Sequence, residues 1–408
     1  MSLSERLDEM SGEGPLSGAT APALSPALRQ VTVFPSFAAA KASWLQLEAR
    51  AVLTPYQRFE WMAAMHAHGL DTGQLVIAFI GPAEQPVAML PLAIESRGGL
   101  RQAQLIGSGY SNSDWMIFEA GAGHRLTLPV LQNLFGEITR QAGGIDIIRL
   151  SNLPAQWGGQ DNPLLAFRHQ PAPNNLYAAE IGSVPRPFID HGITTKLRAN
   201  LRRGRSRLEE QFGPVVVRRI VDAEALARVH AAFLAQRGER FAQMGVDNIF
   251  ATPQMVGFFQ TLCGVGLGSD RPAFMAHALY AGDEIVATSF GATVGSHYSQ
   301  YINSTSAGPA SKYSLMGILM AEMMDDLIGS GVTSFDMGTG DFAYKSDWSK
   351  PQTVFDSAIA VSRRGAVALP ILDLLVSAKR AIKQNPRVWA LAKKAIKLRY
   401  RIRDALGR

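Results

Sequence analysis

The chain has 408 residues, of which 47% are hydrophobic and 18% are charged, and its formal net charge is +6. At roughly 100–200 residues per domain, this length indicates two domains, and the apolar content excludes a chain that is disordered throughout. The single cysteine, Cys263, excludes an intrachain disulfide scaffold and fits a reducing compartment. With one cysteine and no clustered histidines, we expect no metal site.

The basic residues are concentrated near the carboxyl end of the sequence. Residues 377–408 contain eleven Lys or Arg and one acid, Asp404, so this segment carries +10 and the rest of the chain carries −4. A mildly acidic body with a basic tail argues against a protein that coats nucleic acid, and we expect no DNA partner.

The two ends of the chain have distinct compositions. Residues 1–27 are rich in Ser, Gly, Ala and Pro, which predicts a flexible leader. At the other end, apolar residues step by three and four from Val388 to Ala405, which predicts a basic amphipathic helix in a tail spanning 363–408. Residues 386–408 would bind an anionic membrane surface or pack on the protein's own body. No segment reads as a signal peptide or a membrane span, so we expect a cytoplasmic protein, either free or peripheral at the inner face of the cell membrane.

Two stretches between these ends show the same order of elements. Each begins with three strands joined by Gly-containing turns, continues through a loop into a helix, and closes on a buried strand. The first stretch predicts strands at 74–80, 85–96, 102–106 and 114–118, a helix at 126–141 and a strand at 145–150. The second stretch predicts strands at 273–280, 284–294 and 296–305, a helix at 314–328 and strands at 332–337 and 353–361.

This order predicts an α/β fold made of two similar units with mixed sheets. We place the first unit at 28–185 and the second, catalytic unit at 186–362. In each unit, the strand after the helix can pair in parallel with a strand of the same sheet.

The loop from Ser306 to Tyr313 runs directly into a predicted helix that Ser314 would cap. Its small residues, Gly308 and Ala310, allow close approach of a ligand to unpaired N–H groups at the positive end of the helix, and Lys312 adds a charge. This arrangement suits a pyrophosphate, although an ordinary helix start after a glycine turn has the same pattern.

The second polar segment begins at Asp336, near the end of a predicted buried strand, and continues through a Gly-x-Gly turn to Tyr344 and Lys345. Carboxylates and flexible residues at strand ends are typical of functional loops. A tight turn in which Asp336 caps a helix is the alternative interpretation.

These segments together resemble the acyltransferases of the GNAT superfamily. More narrowly, they resemble the cellulose-biosynthesis (CelD/BcsL-type) acetyltransferases, which are distantly related to the FemABX peptidyltransferases and include a branch of bacterial ceramide synthases. The resemblance covers roughly residues 30–360. It is carried by residues 54–61 (Thr-Pro-Tyr-Gln-Arg-Phe-Glu-Trp), 89–92 (Met-Leu-Pro-Leu), Ser113-Asp114, the basic run 198–208, 312–314 (Lys-Tyr-Ser), 335–338 (Phe-Asp-Met-Gly) and Tyr344-Lys345.

The resemblance implies a tandem of GNAT-like units with centrally splayed sheets and acyl transfer from CoA to an amine. Acyl-CoA would be a co-substrate, with no permanently bound cofactor. The pyrophosphate loop keeps only part of the family pattern, and Gly121-Ala122-Gly123 in the first unit also precedes a helix, so the donor could lie in either unit. The residues implied for binding the donor are Tyr301, Ile302, Asn303, Gly308, Ala310, Lys312 and Ser314.

The implied chemistry needs a base for the amine and a proton donor for the leaving thiolate. Asp336 is the first candidate for the base and His297 the second, with a surface histidine as the other interpretation of His297. Tyr313 and Tyr344 are candidate proton donors. The residues expected to contact the acceptor are Glu239, Lys345, Arg202 and Arg203. For Glu239, Arg202 and Arg203, a solvated helix surface is the alternative interpretation.

The sequence therefore predicts an acyl-CoA-dependent N-acyltransferase that acts on an amine-bearing lipid or sugar of the cell envelope. A sphingoid base, giving a ceramide, is one acceptor that the resemblance allows. The alternatives are an exopolysaccharide or cellulose acetyltransferase, a FemABX-like aminoacyl transferase that uses tRNA, and a non-catalytic subunit of a polysaccharide synthase. We regard tRNA as the less favoured partner, because the body of the protein is acidic.

Overall fold

The computed structural model describes residue 28 and residues 30–392, apart from positions 83, 270, 271, 386 and 390. The leader predicted at 1–27 and most of the tail helix predicted at 386–408 lie outside the described residues. Within the described part of the chain, no helix is both long and apolar enough to cross a membrane.

The first sheet has nine strands in a mixed arrangement. Its middle strands are antiparallel neighbours, as the Gly-containing turns predict. Residues 102–104 then pair in parallel with residues 147–149, which confirms the predicted parallel pair. The strands are β1 (Val31–Phe34), β2 (Ala51–Val52), β3 (Gln74–Ile80), β4 (Ala88–Arg97), β5 (Leu100–Leu105), β6 (Ile117–Glu119), β7 (Ile147–Pro154), β10 (Gln170–Pro171) and β18 (Val354–Ala360).

Within the described residues of this part, three helices have eight or more residues, and a two-stranded ribbon follows β7. The third helix buries Leu131, Leu134 and Ile138 against the sheet, as their three- and four-residue spacing predicts. It ends before Gly143, whose φ of +73° lies in the left-handed region that favours glycine. The elements are α1 (Phe37–Glu48), α2 (Phe59–Ala67), α3 (Leu128–Gln141), β8 (Gln156–Trp157) and β9 (Gln160–Asp161).

The second sheet has seven strands and repeats the plan of the first. Its strands are β11 (Leu176–Glu180), β12 (Val215–Arg219), β13 (Phe274–Ala281), β14 (Glu284–Val294), β15 (His297–Thr305), β16 (Ser334–Thr339) and β17 (Lys350–Gln352). The helices of this part are α4 (Phe188–His191), α5 (Thr195–Phe212), α6 (Ala223–Met244), α7 (Pro253–Gly264), α8 (Leu315–Gly329) and α9 (Arg363–Gln384). The predicted α/β fold of two similar units with mixed sheets is therefore confirmed.

Two strands are exchanged between the sheets. β11 precedes the predicted boundary at 185, yet it pairs with β16 and β17 of the second sheet. β18, which the sequence analysis places in the second unit, pairs with β7 and β10 of the first sheet. A cut of the chain at 185 or 362 therefore does not separate the two sheets, and the unit boundaries stay a prediction.

A shared aromatic core joins the two units. Trp61 of α2 lies 5.0 Å, centroid to centroid, from Phe258 of α7 and 5.0 Å from Tyr301 of β15. Phe274 of β13 lies 5.9 Å from the same indole. Because these rings are buried together, α2 fixes the position of β15, on which the candidate site depends.

Candidate active site

The second sheet opens between two adjacent parallel strands. β15 and β16 pair only over residues 297–299 and 334–336. Beyond this pairing, Tyr301 is bulged out of register with β14, and the two strands separate. The gap is part of a cavity of about 400 Å³ that is also lined by α6 and by the turn around Lys345.

Five of the residues predicted for the site line this cavity. They are Tyr301, Ile302, Asn303, Tyr344 and Lys345. Tyr301, Ile302 and Asn303 lie on β15, and Tyr344 and Lys345 lie in the turn after β16, so they form opposite walls of the cleft.

The predicted pyrophosphate loop leads from β15 to the start of α8. Its residues 309–313 form a 3₁₀ turn, in which Ala310 is buried and the Lys312 ammonium lies 5.0 Å from the Tyr313 ring. Gly308 is the residue at the start of this turn and adopts an ordinary extended conformation. Met316, in the first turn of α8, lines the cavity, so this helix begins at the edge of the cleft.

Ser314 does not have its predicted role. It is left-handed, with φ +57°, and its side chain makes no capping bond to α8. The first N–H groups of an α-helix have no acceptor within the helix, so an uncapped start leaves them free to bind an anion.

Asp336 is fully buried beneath the cleft and does not line it. Its carboxylate accepts hydrogen bonds from Ser299 Oγ at 2.8 Å and from the Gly338 N–H at 2.7 Å. His297 Nε2 lies 2.8 Å from the other oxygen, and His297 Nδ1 lies 2.7 Å from Ser334 Oγ. The carboxylate is therefore held on three sides, and the alternative in which Asp336 caps a helix is wrong.

His297 is not a surface histidine. Its side chain is only 12% exposed, and its ring centroid lies 4.4 Å from that of Trp157, which belongs to the ribbon after β7. It faces a groove of about 710 Å³ between the two units, away from the cleft. His297 and Asp336 thus form a buried pair that reaches from the groove to the cleft floor.

The first unit contributes two side chains to this network that the sequence analysis did not assign. The Tyr56 hydroxyl lies 2.6 Å from Ser299 Oγ, and Asn112 Nδ2 donates to Tyr56 at 2.7 Å. Since Ser299 donates its one proton to Asp336, the Tyr56 hydroxyl donates to Ser299. Asn112 lines the cavity and accepts hydrogen bonds from the N–H and the hydroxyl of Thr339, both at 3.1 Å.

A signal for Tyr56 was present in the sequence. The run that starts at Thr54 belongs to the quoted resemblance, and its Thr-x-x-Gln spacing is a capping box. Thr54 Oγ1 lies 2.5 Å from Gln57 Oε1 and donates to the Ser113 carbonyl at 2.8 Å. This tight turn presents Tyr56 to the second unit, but nothing local to the sequence reveals its partner.

Lys345 is a buried cation in the wall of the cleft. Lys345 is 4% exposed, and its Nζ donates hydrogen bonds to the carbonyls of Gly338 and Thr339 at 3.0 and 3.1 Å. Burial lowers the pKa of Lys345 to about 8, so the ammonium titrates near neutral pH. Tyr344 beside it is 40% exposed.

The remaining predicted residues lie outside the cavity. The Tyr313 hydroxyl donates to Gln211 of α5 at 2.5 Å, and Glu239 is an exposed residue of α6. Arg202 pairs with Asp190 at 2.6 Å, and Arg203 donates to Asn200 at 2.6 Å. None of these four side chains lines the cleft: Arg202 and Arg203 are exposed on α5, Glu239 is exposed on α6, and Tyr313 of the turn 309–313 is turned toward α5. Among the residues that the structure describes, no group of three or more His, Cys, Asp or Glu could hold a metal ion.

Comparison with known families identifies the unit that contains the cleft. Residues 195–346 match the family described as the acetyltransferase (GNAT) domain, and these residues include α8 and the separated strands β15 and β16. All of the residues that line the cleft, apart from Asn112, lie within this matched segment. The prediction of a GNAT-type N-acyltransferase is therefore confirmed, whereas no curated protein matches the chain in sequence.

Solved structures are similar in fold over most of the chain. A structure of FemX superposes with a TM-score of 0.57 at 10% identity and covers 84% of this chain and 99% of its own. The C-terminal domain (DUF2156) of a protein described as a lysylphosphatidylglycerol synthetase, from Agrobacterium fabrum, has a TM-score of 0.51 at 13% identity, with 84% and 98% covered. The L-PGS structure from Bacillus licheniformis has a TM-score of 0.50 at 12% identity, with 84% and 97% covered. These similarities are similarities of fold, and they cover both units.

Proposed function

We propose that the protein transfers an acyl group from acyl-CoA to the amine of a lipid or sugar precursor of the cell envelope. The observation that carries this proposal is the cleft between β15 and β16, which opens at one end onto the uncapped start of α8. A thioester placed between the separated strands would have its phosphates at that helix end and beside Lys312.

The chemistry requires one new bond and one broken bond. The neutral amine attacks the thioester carbonyl, the N–C bond forms, the C–S bond breaks, and the proton that the amine loses finally resides on the thiol. Backbone N–H groups at the bulge around Tyr301 would stabilise the developing oxyanion.

We assign Asp336 as a positioning residue and remote base, since its carboxylate ends the chain of hydroxyls from Tyr56 through Ser299. His297 holds the second oxygen of that carboxylate. Of the two tyrosines predicted to protonate the leaving thiolate, we retain Tyr344, because it lines the cleft and Tyr313 does not.

An apolar surface on the last described helix favours an amphiphilic acceptor. Four side chains of α9, Val367, Ile371, Leu374 and Leu375, are 61–80% exposed. Their spacing places them on one side of the helix, directly before the basic segment 377–408. This combination fits a position on an anionic membrane, where a sphingoid base or another amine-bearing lipid would be reached.

A second candidate function has one observation in its favour. FemX is similar in fold, and α5 carries the exposed basic residues Arg202, Arg203 and Arg207, so an aminoacyl group delivered by tRNA is the alternative donor. An exopolysaccharide acetyltransferase would share the first mechanism with a different acceptor, and a non-catalytic polysaccharide synthase subunit would bind no donor.

Thermal unfolding with acetyl-CoA and with palmitoyl-CoA tests the proposal. One of the two donors should raise the melting temperature and should release thiol when sphinganine or glucosamine is added. Lys312→Glu places a negative charge at the helix start and should lower donor affinity at least tenfold, whereas Lys350→Glu, an exposed matched control on β17, should not. Stabilisation by neither donor would contradict the proposal, and ribonuclease-sensitive activity would support the tRNA alternative.

A further inference from the structure

The cleft between β15 and β16 is lined by cations without matching acids. Arg237, Arg240 and Lys345 line it, and the described residues that line it include no Asp or Glu. Three positive charges at one cavity generate a field that attracts anions and disfavours the protonated form of an amine.

Arg237 is a partly buried residue of α6. Its Nε is buried and has no hydrogen-bond partner among the described residues. Its guanidinium carbon lies 5.7 Å from the ring of Phe250 and 6.0 Å from that of Phe241, and burial lowers its pKa to about 10. A buried guanidinium with an unpaired N–H costs free energy that a carboxylate or phosphate partner would recover.

Neighbouring bonds fix Arg237 in place. Gln236, the preceding residue of α6, donates to the Ile285 carbonyl at 2.8 Å and accepts from Ser304 Oγ at 2.6 Å. These bonds tie α6 to β14 and β15, so Arg237 is held at the wall of the cleft before any ligand arrives.

The two acids nearest Lys345, Asp336 and Asp341, lie outside the cavity lining, and their charges raise the pKa of Lys345 without outweighing the effect of its burial. Asp336 is already held by Ser299, His297 and the Gly338 N–H beneath the floor. Asp341 accepts hydrogen bonds from Asn175 and Tyr177, outside the lining.

We propose that the acceptor is an anionic amine, carrying a phosphate ester or a carboxylate that pairs with Arg237 and Arg240. This inference rests on the proposed acyl transfer and specifies its substrate class. The phosphates of the donor have the same chemistry, but the start of α8 and Lys312 already supply a site for them on a different element.

Binding measurements on the full chain test the inference with amines that differ only in a phosphate. We would titrate ethanolamine against phosphoethanolamine, and sphinganine against sphinganine 1-phosphate in neutral-detergent micelles, by calorimetry. The phosphorylated member of at least one pair should bind at least tenfold more tightly, and the ratio should fall as salt is raised.

Arg237→Gln should reduce that ratio to less than threefold, with a native circular dichroism spectrum confirming that the variant is folded. Arg228→Gln is the matched control, since Arg228 is an exposed residue of the same helix outside the cavity lining, and it should leave the ratio unchanged. The affinity of the variant for CoA should equal that of the wild type.

Equal binding within both pairs, or no measurable binding of either phosphorylated amine, would overturn the inference. If Arg237→Gln loses affinity only for CoA, the inference would also be overturned, because Arg237 would then bind the donor and not the acceptor. Failure of every amine to release thiol from acyl-CoA would instead contradict the proposed function, and the binding ratio would still decide the charge of the ligand.

Discussion

Gly338 lies where the two units meet at the cleft, and a methyl group at this position should break the contact that Asn112 of the first unit makes there. Its φ of +66° lies in the left-handed region, and a Cβ at this position would come within 2.7 Å of Asn112 Nδ2. Gly338→Ala therefore combines backbone strain with a collision against the side chain that the first unit inserts into the cleft.

The two contributions have different magnitudes. Alanine in the left-handed region costs roughly 1–2 kcal/mol. Displacing Asn112 breaks its hydrogen bonds to Tyr56 and to the N–H and hydroxyl of Thr339, at about 1 kcal/mol each. We expect Gly338→Ala to lower the free energy of unfolding by about 4 kcal/mol and to reduce acyl transfer strongly.

Gly331→Ala is the matched control. Gly331 has φ +81°, and a Cβ there would meet no atom within 4 Å, so this variant should lose only the strain and keep its activity. Urea unfolding followed by circular dichroism, together with a thiol-release assay, measures both effects. In an Asn112→Ala background, Gly338→Ala should cost about 1 kcal/mol. Equal losses in the two glycine variants, with equal activities, would refute this reasoning.

Three further substitutions test buried charges. Burial raises the pKa of Asp114 to about 7, so the unfolded chain loses this proton at lower pH than the folded protein does, and the free energy of unfolding falls as the pH rises. Between pH 5 and 8, the wild type should lose about 3 kcal/mol more than Asp114→Asn in urea unfolding. Equal losses in the two proteins would contradict the raised pKa. The pKa of Lys345, lowered to about 8, gives the opposite sign, so the wild type should gain about 2 kcal/mol between pH 8 and 10 relative to Lys345→Met, measured in the same way. Asp336→Asn should reduce thiol release more than tenfold with little change in binding of the donor, and an unchanged rate would remove Asp336 from the mechanism.

Local patterns predicted the hairpins of both sheets and the helices α3 and α8, because hairpins and helices depend on neighbouring residues, whereas α1, α2, α6 and α7 were not placed. The turn at Gly282, with φ +58°, joins β13 and β14 as its Ala-Gly-Asp sequence predicts. The parallel pairs β5–β7 and β15–β16 also followed from the order of elements. The exchange of β11 and β18 did not follow from that order, because each of these strands pairs with the sheet of the other unit and not with strands that are closer in sequence.

The sequence indicated site residues within the second unit, but it did not indicate the contacts that the first unit makes with them. The family resemblance implied Tyr301, and Lys345 follows a Gly-x-Gly turn after Asp336, so family and local patterns indicated these two positions. Tyr56 and Asn112 are separated from their partners by more than 200 residues of chain, and only the folded molecule brings them to Ser299 and Thr339. The sequence analysis allowed His297 to be a surface residue for the same reason, since its burial depends on Trp157 of the other unit.

The return of β18 to the first sheet sets an order of events during synthesis. β7 is complete at residue 154, but its antiparallel neighbour ends only at residue 360. At about 5–20 residues per second, a ribosome takes roughly 10–40 s to make the chain in between. During that time one edge of the growing sheet has unpaired N–H and C=O groups, which chaperones or other chains can bind. Most of the first sheet is thus translated early, but the sheet is complete only when β18 has been made near the end of the second unit. A ribosome that stalls in the second half of the chain therefore leaves both sheets incomplete.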